Sequence, residues 1–147
     1  MNSIKNEILE QFEDVLFLPE EEDDKLIGYA EMFGNDCLLL YNGLNFIRYS
    51  SPSDCLEKIC FYSPQSRVMD GYDSCLIGHL KIDNGSIILV YDREAVIEQL
   101  KQEYMSDKSG LFEDESDCED SAWEWYSYNM IGAYMEGVPA FAVTCSL

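Results

Sequence analysis

The chain has 147 residues, and 29 acidic side chains against 9 lysines and arginines give it a formal charge of −20. This length suits one domain with a proper core, since two domains of half the size would each be marginal. A hydrophobic fraction of 47% excludes a wholly disordered chain. The acidity argues against direct binding to nucleic acid, whose phosphates require lysine and arginine. With no long apolar run and no secretory signal, we expect a cytoplasmic protein without a membrane span.

The first half of the chain is predicted to contain two helices and two strands. Apolar residues at helical spacing predict a helix over residues 3–16, which Pro19 and the following acids end. Leu26–Tyr29 and Cys37–Tyr41 are expected to be strands. A short helix is predicted over 53–61, between two prolines.

The second half repeats this pattern, with Leu26 and Leu76 standing 50 residues apart. Alignment of 23–49 with 73–99 needs no gap, and a Leu-Ile-Gly triplet opens each hairpin while a tyrosine closes it. We interpret the match as the duplication of a strand–turn–strand–helix unit.

The elements after the second hairpin complete the predicted fold. Asp92 is expected to cap a helix over 93–104, which an acidic loop over 106–120 follows. A further helix is predicted from residue 120 or 121 to about 134, and 140–143 are expected to form a closing strand. Together the elements predict a single α+β domain over 1–147, with one mixed or antiparallel sheet and helices packed against it.

The residue types that support catalysis or metal binding are sparse. The six cysteines include no CxxC pair, and most lie in apolar surroundings, so we expect free thiols and no zinc site. His79 is the only histidine and lies in a predicted strand, where a packing role is the usual one. We therefore expect no catalytic residue and no cofactor.

One acidic run fits a calcium-loop frame in part. Oxygen-bearing residues fall at positions 1, 3, 5, 7, 9 and 12 of the frame, which are Glu113, Glu115, Asp117, Glu119, Ser121 and Glu124. Cys118 stands where such a loop needs glycine for its turn. We favour a disordered acidic loop and expect no metal.

Acidic residues concentrate in two stretches, between Glu7 and Asp24 and between Glu103 and Glu124. Such stretches form a solvated face, or they attract a basic partner over about a Debye length. Carboxylates can also offer arginine and lysine the bidentate acceptors that these side chains find on nucleic acid. The residues that we expect to bind a partner are Glu20, Glu21, Glu22, Asp23 and Asp24, and Glu113, Asp114, Glu115, Asp117, Glu119 and Asp120.

The run Tyr91-Asp92-Arg93 and the aromatic tail from Ala122 to Tyr134, ending in Pro139-Ala140-Phe141, resemble a group of small uncharacterised proteins common in phages and other mobile elements. The resemblance covers residues 73–143. This chain has one residue fewer in the loop before Pro139 and a longer acidic segment before the tail. The group has no assigned activity, so the resemblance implies a phage or mobile-element setting and no catalytic residue.

Two classes of function follow. The first is a non-enzymatic inhibitor that blocks a basic groove of a host defence or nucleic-acid-handling protein by nucleic-acid mimicry, of the anti-CRISPR or anti-restriction type. An immunity protein against a basic toxin would rely on the same attraction between acidic and basic surfaces. The second is a small-ligand binder that sequesters a nucleotide signal in a pocket formed by Tyr91, Arg93, Trp125, Tyr128 and Asn129. For Asn129 alone we favour a structural interpretation over a ligand contact, namely a buried amide hydrogen-bonded to the loop at 136–137.

Overall fold

The computed structural model describes residues 3–12, 15–31, 37–55, 57, 71–81, 87–106, 114–130 and 139–144. The helices whose bounds lie in these ranges are α1 (Ser3–Gln11), α2 (Arg93–Met105) and α3 (Glu115–Trp125), and residues 52–55 and 57 are helical as well. The strands are β1 (Leu26–Glu31), β2 (Cys37–Tyr41), β3 (Phe46–Arg48), β4 (Leu76–Lys81), β5 (Ile87–Asp92) and β6 (Ala140–Thr144). Two 3-10 turns, Glu20–Lys25 and Asp73–Cys75, precede β1 and β4, and a π-helical turn, Tyr126–Met130, continues α3.

The strands form one six-stranded sheet in the order β2-β1-β6-β5-β4-β3. All neighbours are antiparallel except β5 and β6, which are parallel. The fold is therefore a single α+β domain built on a mixed sheet, as the sequence predicts.

Alternation along β5 shows how the sheet divides the core. Leu89 and Tyr91 pack with the buried residues of α2 and α3, whereas Ile88 and Val90 belong to a second cluster on the opposite face. The side chains of β6 alternate in the same way, since Phe141 lies in the first cluster and Ala142 in the second. The helices α2 and α3 therefore cover one face of the sheet.

The two hairpins have the same pairing at the 50-residue offset. Leu26 pairs with Tyr41 and Leu76 pairs with Tyr91, and a register shift precedes Gly28 and Gly78 alike. The correspondence ends there. Residues 46–48 form β3, while the aligned residues 96–98 lie in α2. The aligned units 23–49 and 73–99 thus differ in their last part, and the duplication stays an interpretation.

Two predicted helix boundaries are wrong, and one strand is not predicted. Helix α1 ends at Gln11 and not at residue 16, and β3 was not expected as a strand. Helix α3 begins at Glu115, inside the predicted acidic loop, because the Asp114 side chain caps it by accepting the backbone N–H of Asp117. Acids in the first turn of a helix are also stabilised by its dipole, so a dense acidic run can be helical. Of the short helix predicted over 53–61, residues 53–55 and 57 are helical, and the rest lies outside the described residues.

Candidate functional site

The first predicted acidic patch is the 3-10 turn Glu20–Lys25. Its exposed members are Glu20, Glu21 and Asp24, while Glu22 and Asp23 are half-buried. Asp23 pairs with Lys5 of α1 at 2.7 Å, and Glu22 pairs with Lys25 at 2.6 Å. Two of the five predicted acids thus have internal cationic partners, which leaves three carboxylates for an external one.

The second predicted patch forms the N-terminal half of α3. Glu115 accepts an ion pair from Lys101 of α2 at 2.6 Å, which raises the pKa of that lysine. Asp114 is the helix cap. Glu119 and Asp120 are exposed and make no ion pair within the described part of the chain. Glu113 lies outside the described residues, and Asp117 is half-buried.

The helical conformation of residues 115–124 also bears on the calcium-loop frame. In a helix, alternate residues point in directions about 200° apart, so Glu115, Asp117 and Glu119 cannot converge on one ion. The structure shows no cluster of three metal-ligating side chains among the residues it describes.

Beside these acids, α2 and α3 form a groove of about 190 Å³ with aromatic walls. Trp125 and Tyr128 are 48% and 74% exposed, unusually high fractions for such large rings. The lining residues are Tyr104, Ser121, Glu124, Trp125, Tyr128 and Asn129. The sequence signalled three of them, but Tyr104, Ser121 and Glu124 join the groove only through the packing of α2 on α3.

The predicted small-ligand pocket is not formed as a unit. Trp125, Tyr128 and Asn129 do line the groove, but Tyr91 is fully buried in the core beneath α2 and α3. Asn129 is exposed and donates to the Trp125 carbonyl oxygen at 3.3 Å, so the prediction of a buried amide is wrong. The turn after α3 leaves this side chain at the surface.

Arg93, the predicted phosphate ligand, is held in an internal cluster at the start of α2. Its guanidinium donates to Glu31 at 2.8 Å and to Glu94, and it stacks on the Trp123 ring with a 5.2 Å separation. Tyr126 donates its hydroxyl to the other Glu31 oxygen at 2.6 Å. Burial, and then this hydrogen bond, raises the pKa of Tyr126. Arg93 therefore joins β1 to α2 and α3 and is not free to bind an anion.

The thiols that the structure describes are free and buried. Cys55, Cys75 and Cys118 form no disulfide, while Cys37, Cys60 and Cys145 have side chains outside the described set. Burial raises the pKa of Cys55 to about 12, so this thiol is not a nucleophile at neutral pH.

Comparisons with models of protein families, with curated proteins and with solved structures return no match. None of the described helices combines the length and apolar character needed to cross a bilayer.

Proposed function

We propose that this protein is a non-enzymatic binding protein that docks the acidic and aromatic surface of α3 and its following turn on a basic surface of another protein. The partner class that we propose is a host defence or nucleic-acid-handling protein, whose cationic groove would accept carboxylates in place of phosphates. The observation that supports this most directly is the groove in which Trp125 and Tyr128 are exposed, at the end of the helix that carries Glu119 and Asp120, which make no ion pair among the described residues.

Exposed aromatic rings and charges have different roles in such a surface. Tryptophan and tyrosine are enriched among the residues that supply most of the energy of protein interfaces. Carboxylates at the rim act mainly on the rate of encounter, since their attraction acts over about 10 Å at 0.1 M salt. Glu124 lines the groove with Trp125, whereas Glu119 and Asp120 point about 120–140° away from Trp125 around the axis of α3 and so flank the aromatic side chains.

The groove also matches the side chains of a basic partner. A lysine or arginine side chain over a tryptophan or tyrosine ring gains a cation–π contribution, and a nearby carboxylate adds an ion pair. Tyr104, Trp125 and Tyr128 supply the rings, and Glu124 supplies the carboxylate. The net charge of −20 favours a cationic occupant over an anionic one in this position.

The test begins with capture of a partner from host lysate at low salt, followed by binding kinetics with the purified partner at two salt concentrations. The double variant Glu119→Gln/Asp120→Asn is compared with Glu7→Gln/Glu10→Gln, which removes the same charge from exposed positions of α1. We expect the α3 variant to slow association at least threefold more than the α1 variant. Equal association rates for the two variants at low salt would contradict docking through α3.

The aromatic contribution is tested separately through dissociation. Trp125→Ala is expected to raise the dissociation rate tenfold or more, because a buried aromatic anchor contributes roughly 2 kcal/mol or more to an interface. If Trp125→Ala captured lysine- and arginine-rich proteins as well as the wild type does, general charge attraction, and not this groove, would select the partner.

A further inference from the structure

The two outer strands of the sheet, β2 and β3, meet in the folded chain. They stand at opposite ends of the strand order, so in a flat sheet five strand spacings would hold them about 24 Å apart. Only residues 42–45 join them, however, and this turn is tight, since Gly43 donates its backbone N–H to the Phe46 carbonyl oxygen at 2.8 Å. The sheet therefore curls until its first and last strands come together.

The inside of the curled sheet is an apolar core shared by all six strands. Leu40 of β2, Phe46 of β3 and Leu80 of β4 belong to one buried cluster, to which β1, β5 and β6 also contribute. A cluster that receives side chains from both outer strands and from every strand between them is typical of a sheet closed into a small barrel. We call the place where the end of β2 meets the start of β3 the seam.

Asn45 joins the strands on the two sides of the seam. Its Nδ2 donates to the Leu39 carbonyl oxygen at 2.7 Å, and its Oδ1 accepts the backbone N–H of Tyr41 at 2.9 Å. Its own carbonyl oxygen accepts the backbone N–H of Lys81 in β4 at 2.8 Å. One residue thus ties β2, at one end of the strand order, to β4, near the other.

The two side-chain hydrogen bonds of Asn45 lie on the outer edge of β2. Asn42 donates its backbone N–H to Lys25, which directly precedes β1, and backbone groups alternate in direction along a strand. Leu39 and Tyr41 therefore present their carbonyl and N–H groups away from β1, where an added strand would pair with them. The Asn45 amide takes the place that a peptide group of such a strand would occupy.

The composition of β2 gives it little other protection against pairing. Edge strands are commonly guarded by charged side chains or by proline. Residues 37–45 contain neither, and three successive leucines precede Tyr41. An uncharged apolar strand of this kind pairs readily with a strand of another chain when its edge is open.

We propose that Asn45 is a latch that holds the seam closed and prevents β2 from pairing with β2 of a second copy of this chain. A second copy is the occupant that the latch excludes, because two identical apolar edges can pair symmetrically about a two-fold axis. The inference concerns β2 and not the surface of α3, so it does not rest on the proposed function.

Amide hydrogen exchange followed by NMR tests the latch in Asn45→Ala. We expect the Tyr41 amide of the dilute variant to exchange about tenfold faster or more than in the wild type, because its acceptor is lost. The Leu40 amide, which faces β1, should stay protected and show that the sheet is intact. A Tyr41 amide that exchanges as fast as a free amide in the wild type, or at an unchanged rate in folded Asn45→Ala, would overturn the latch.

The matched control is Asn42→Ala, which removes an exposed asparagine from the same turn but leaves the amide of Asn45 in place. Both the Tyr41 and the Leu40 amides of this variant should exchange as in the wild type. Loss of Tyr41 protection in Asn42→Ala as large as that in Asn45→Ala would assign the effect to the turn and not to Asn45, and would overturn the latch.

Self-association is measured by sedimentation equilibrium over a range of protein concentrations. Asn45→Ala should dimerise with a dissociation constant about tenfold or more below that of the wild type and of Asn42→Ala, and Tyr41 should regain protection as dimers form. Because each copy has a charge of −20, dimerisation should be stronger at 1 M salt than at 0.1 M. Docking on a basic partner is expected to weaken with salt, so the two proposals can fail independently.

Asn45→Asp decides the matter if Asn45→Ala does not fold. Aspartate keeps an oxygen that can accept the Tyr41 N–H, but it replaces the donor to the Leu39 carbonyl by a second oxygen. We expect its dimer dissociation constant to lie between those of Asn45→Ala and the wild type. If the variant that retains Leu40 protection stayed as monomeric as the wild type at every concentration and at both salt levels, the proposed role of Asn45 would be overturned.

Discussion

The two β-hairpins of this protein share a pairing scheme, but different contacts fix the turn that precedes each of them. The first hairpin, β1–β2, follows a turn that is tied by the ion pairs Lys5–Asp23 and Lys25–Glu22. The second, β4–β5, follows a turn whose Cys75 is buried under α2 and whose neighbour Gly71 accepts a hydrogen bond from Gln99. The same backbone geometry is thus compatible with charged contacts in one half and with neutral contacts in the other.

The residues after each hairpin also differ, and they determine the next element. Asp92 accepts the backbone N–H groups of Glu94 and Ala95 and so starts α2. At the corresponding place, Asn42 is followed by Gly43 with a φ of +86°, a value that favours a turn, and the chain returns as β3. One capping carboxylate and one glycine therefore separate a helix from a strand after equivalent hairpins.

The largest effect on stability is expected where β3 pairs with β4 of the second hairpin. A Cβ atom at position 78 would overlap the Ile47 carbonyl oxygen and lie 2.9 Å from the Phe46 ring. Gly78→Ala should therefore lower the free energy of unfolding by about 3 kcal/mol through overpacking. Gly43→Ala is the control, because it strains a positive φ with nothing within 4 Å, and it should cost about 1 kcal/mol. Equal losses in urea unfolding would show that β3 is not docked on β4 in this way.

A second difference lies at the last residue of the first strand of each hairpin. Glu31 accepts from Arg93 and Tyr126 and is mostly buried, whereas Lys81 at the same register is exposed. Glu31→Ala should cost about 2 kcal/mol, less than for a fully buried pair because Glu31 is 21% exposed. Lys81→Ala should change stability by no more than about 0.5 kcal/mol. Chemical denaturation of both variants measures the contrast, and a loss below that of Lys81→Ala would refute the role of Glu31.

The sequence was informative where one residue or a strict local pattern decides the structure. The hairpins, the Asp92 cap and α2 follow from alternation and from capping chemistry, and all appear as predicted. The N-terminal half of α3 could not be predicted from composition, because a run of acids is equally typical of a solvated loop. Here the Asp114 cap and the ion pair of Glu115 with Lys101 favour the helix, and that pair depends on tertiary packing.

The candidate sites show the same limit. The residue types alone single out Trp125 and Tyr128. Tyr91 and Arg93 are grouped with them because a sequence does not show how deeply a side chain is buried. Burial of Tyr91 and the pairing of Arg93 with Glu31 arise from contacts between elements far apart in the chain.

The residues at the ends of the two hairpins, Asp92 and Asn42, give a third and smaller effect on stability. Asp92→Ala removes an acceptor for two backbone N–H groups and should cost about 1 kcal/mol of stability. Asn42→Ala should cost less than about 0.5 kcal/mol, because the exposed Asn42 side chain caps no helix. Thermal unfolding followed by circular dichroism compares the two, and a loss for Asn42→Ala as large as that for Asp92→Ala would remove the distinction between the two chain continuations.

Alkaline pH should act on the second turn through Tyr72. Burial, and then the nearby Glu103, raises the pKa of Tyr72 from 10.0 to about 12. The unfolded chain then loses this proton at a lower pH than the native one, so stability is fully present below pH 10 and falls as pH rises from 10 to 12. Tyr72→Phe should flatten this part of the profile in urea unfolding between pH 9 and about 11. An unchanged slope in that variant would assign the alkaline loss to other groups.

The smallest effect concerns salt, and it separates the two turns by the kind of contact that holds them. Lys5→Gln breaks the pair with Asp23 and should cost about 0.5 kcal/mol at low ionic strength. Because 1 M salt screens charges beyond about 3 Å, most of that cost should vanish there. Gln99→Ala removes a neutral hydrogen bond of 2.6 Å to the Gly71 carbonyl oxygen, and its cost should stay the same at both salt concentrations. Each variant is measured against wild type at the same salt, so the general relief of repulsion in a chain of −20 charge cancels. A Lys5→Gln cost that persists at 1 M would mean that packing of the lysine stem on the Phe17 ring, 5.0 Å from its ammonium, and not charge, holds the first turn to α1.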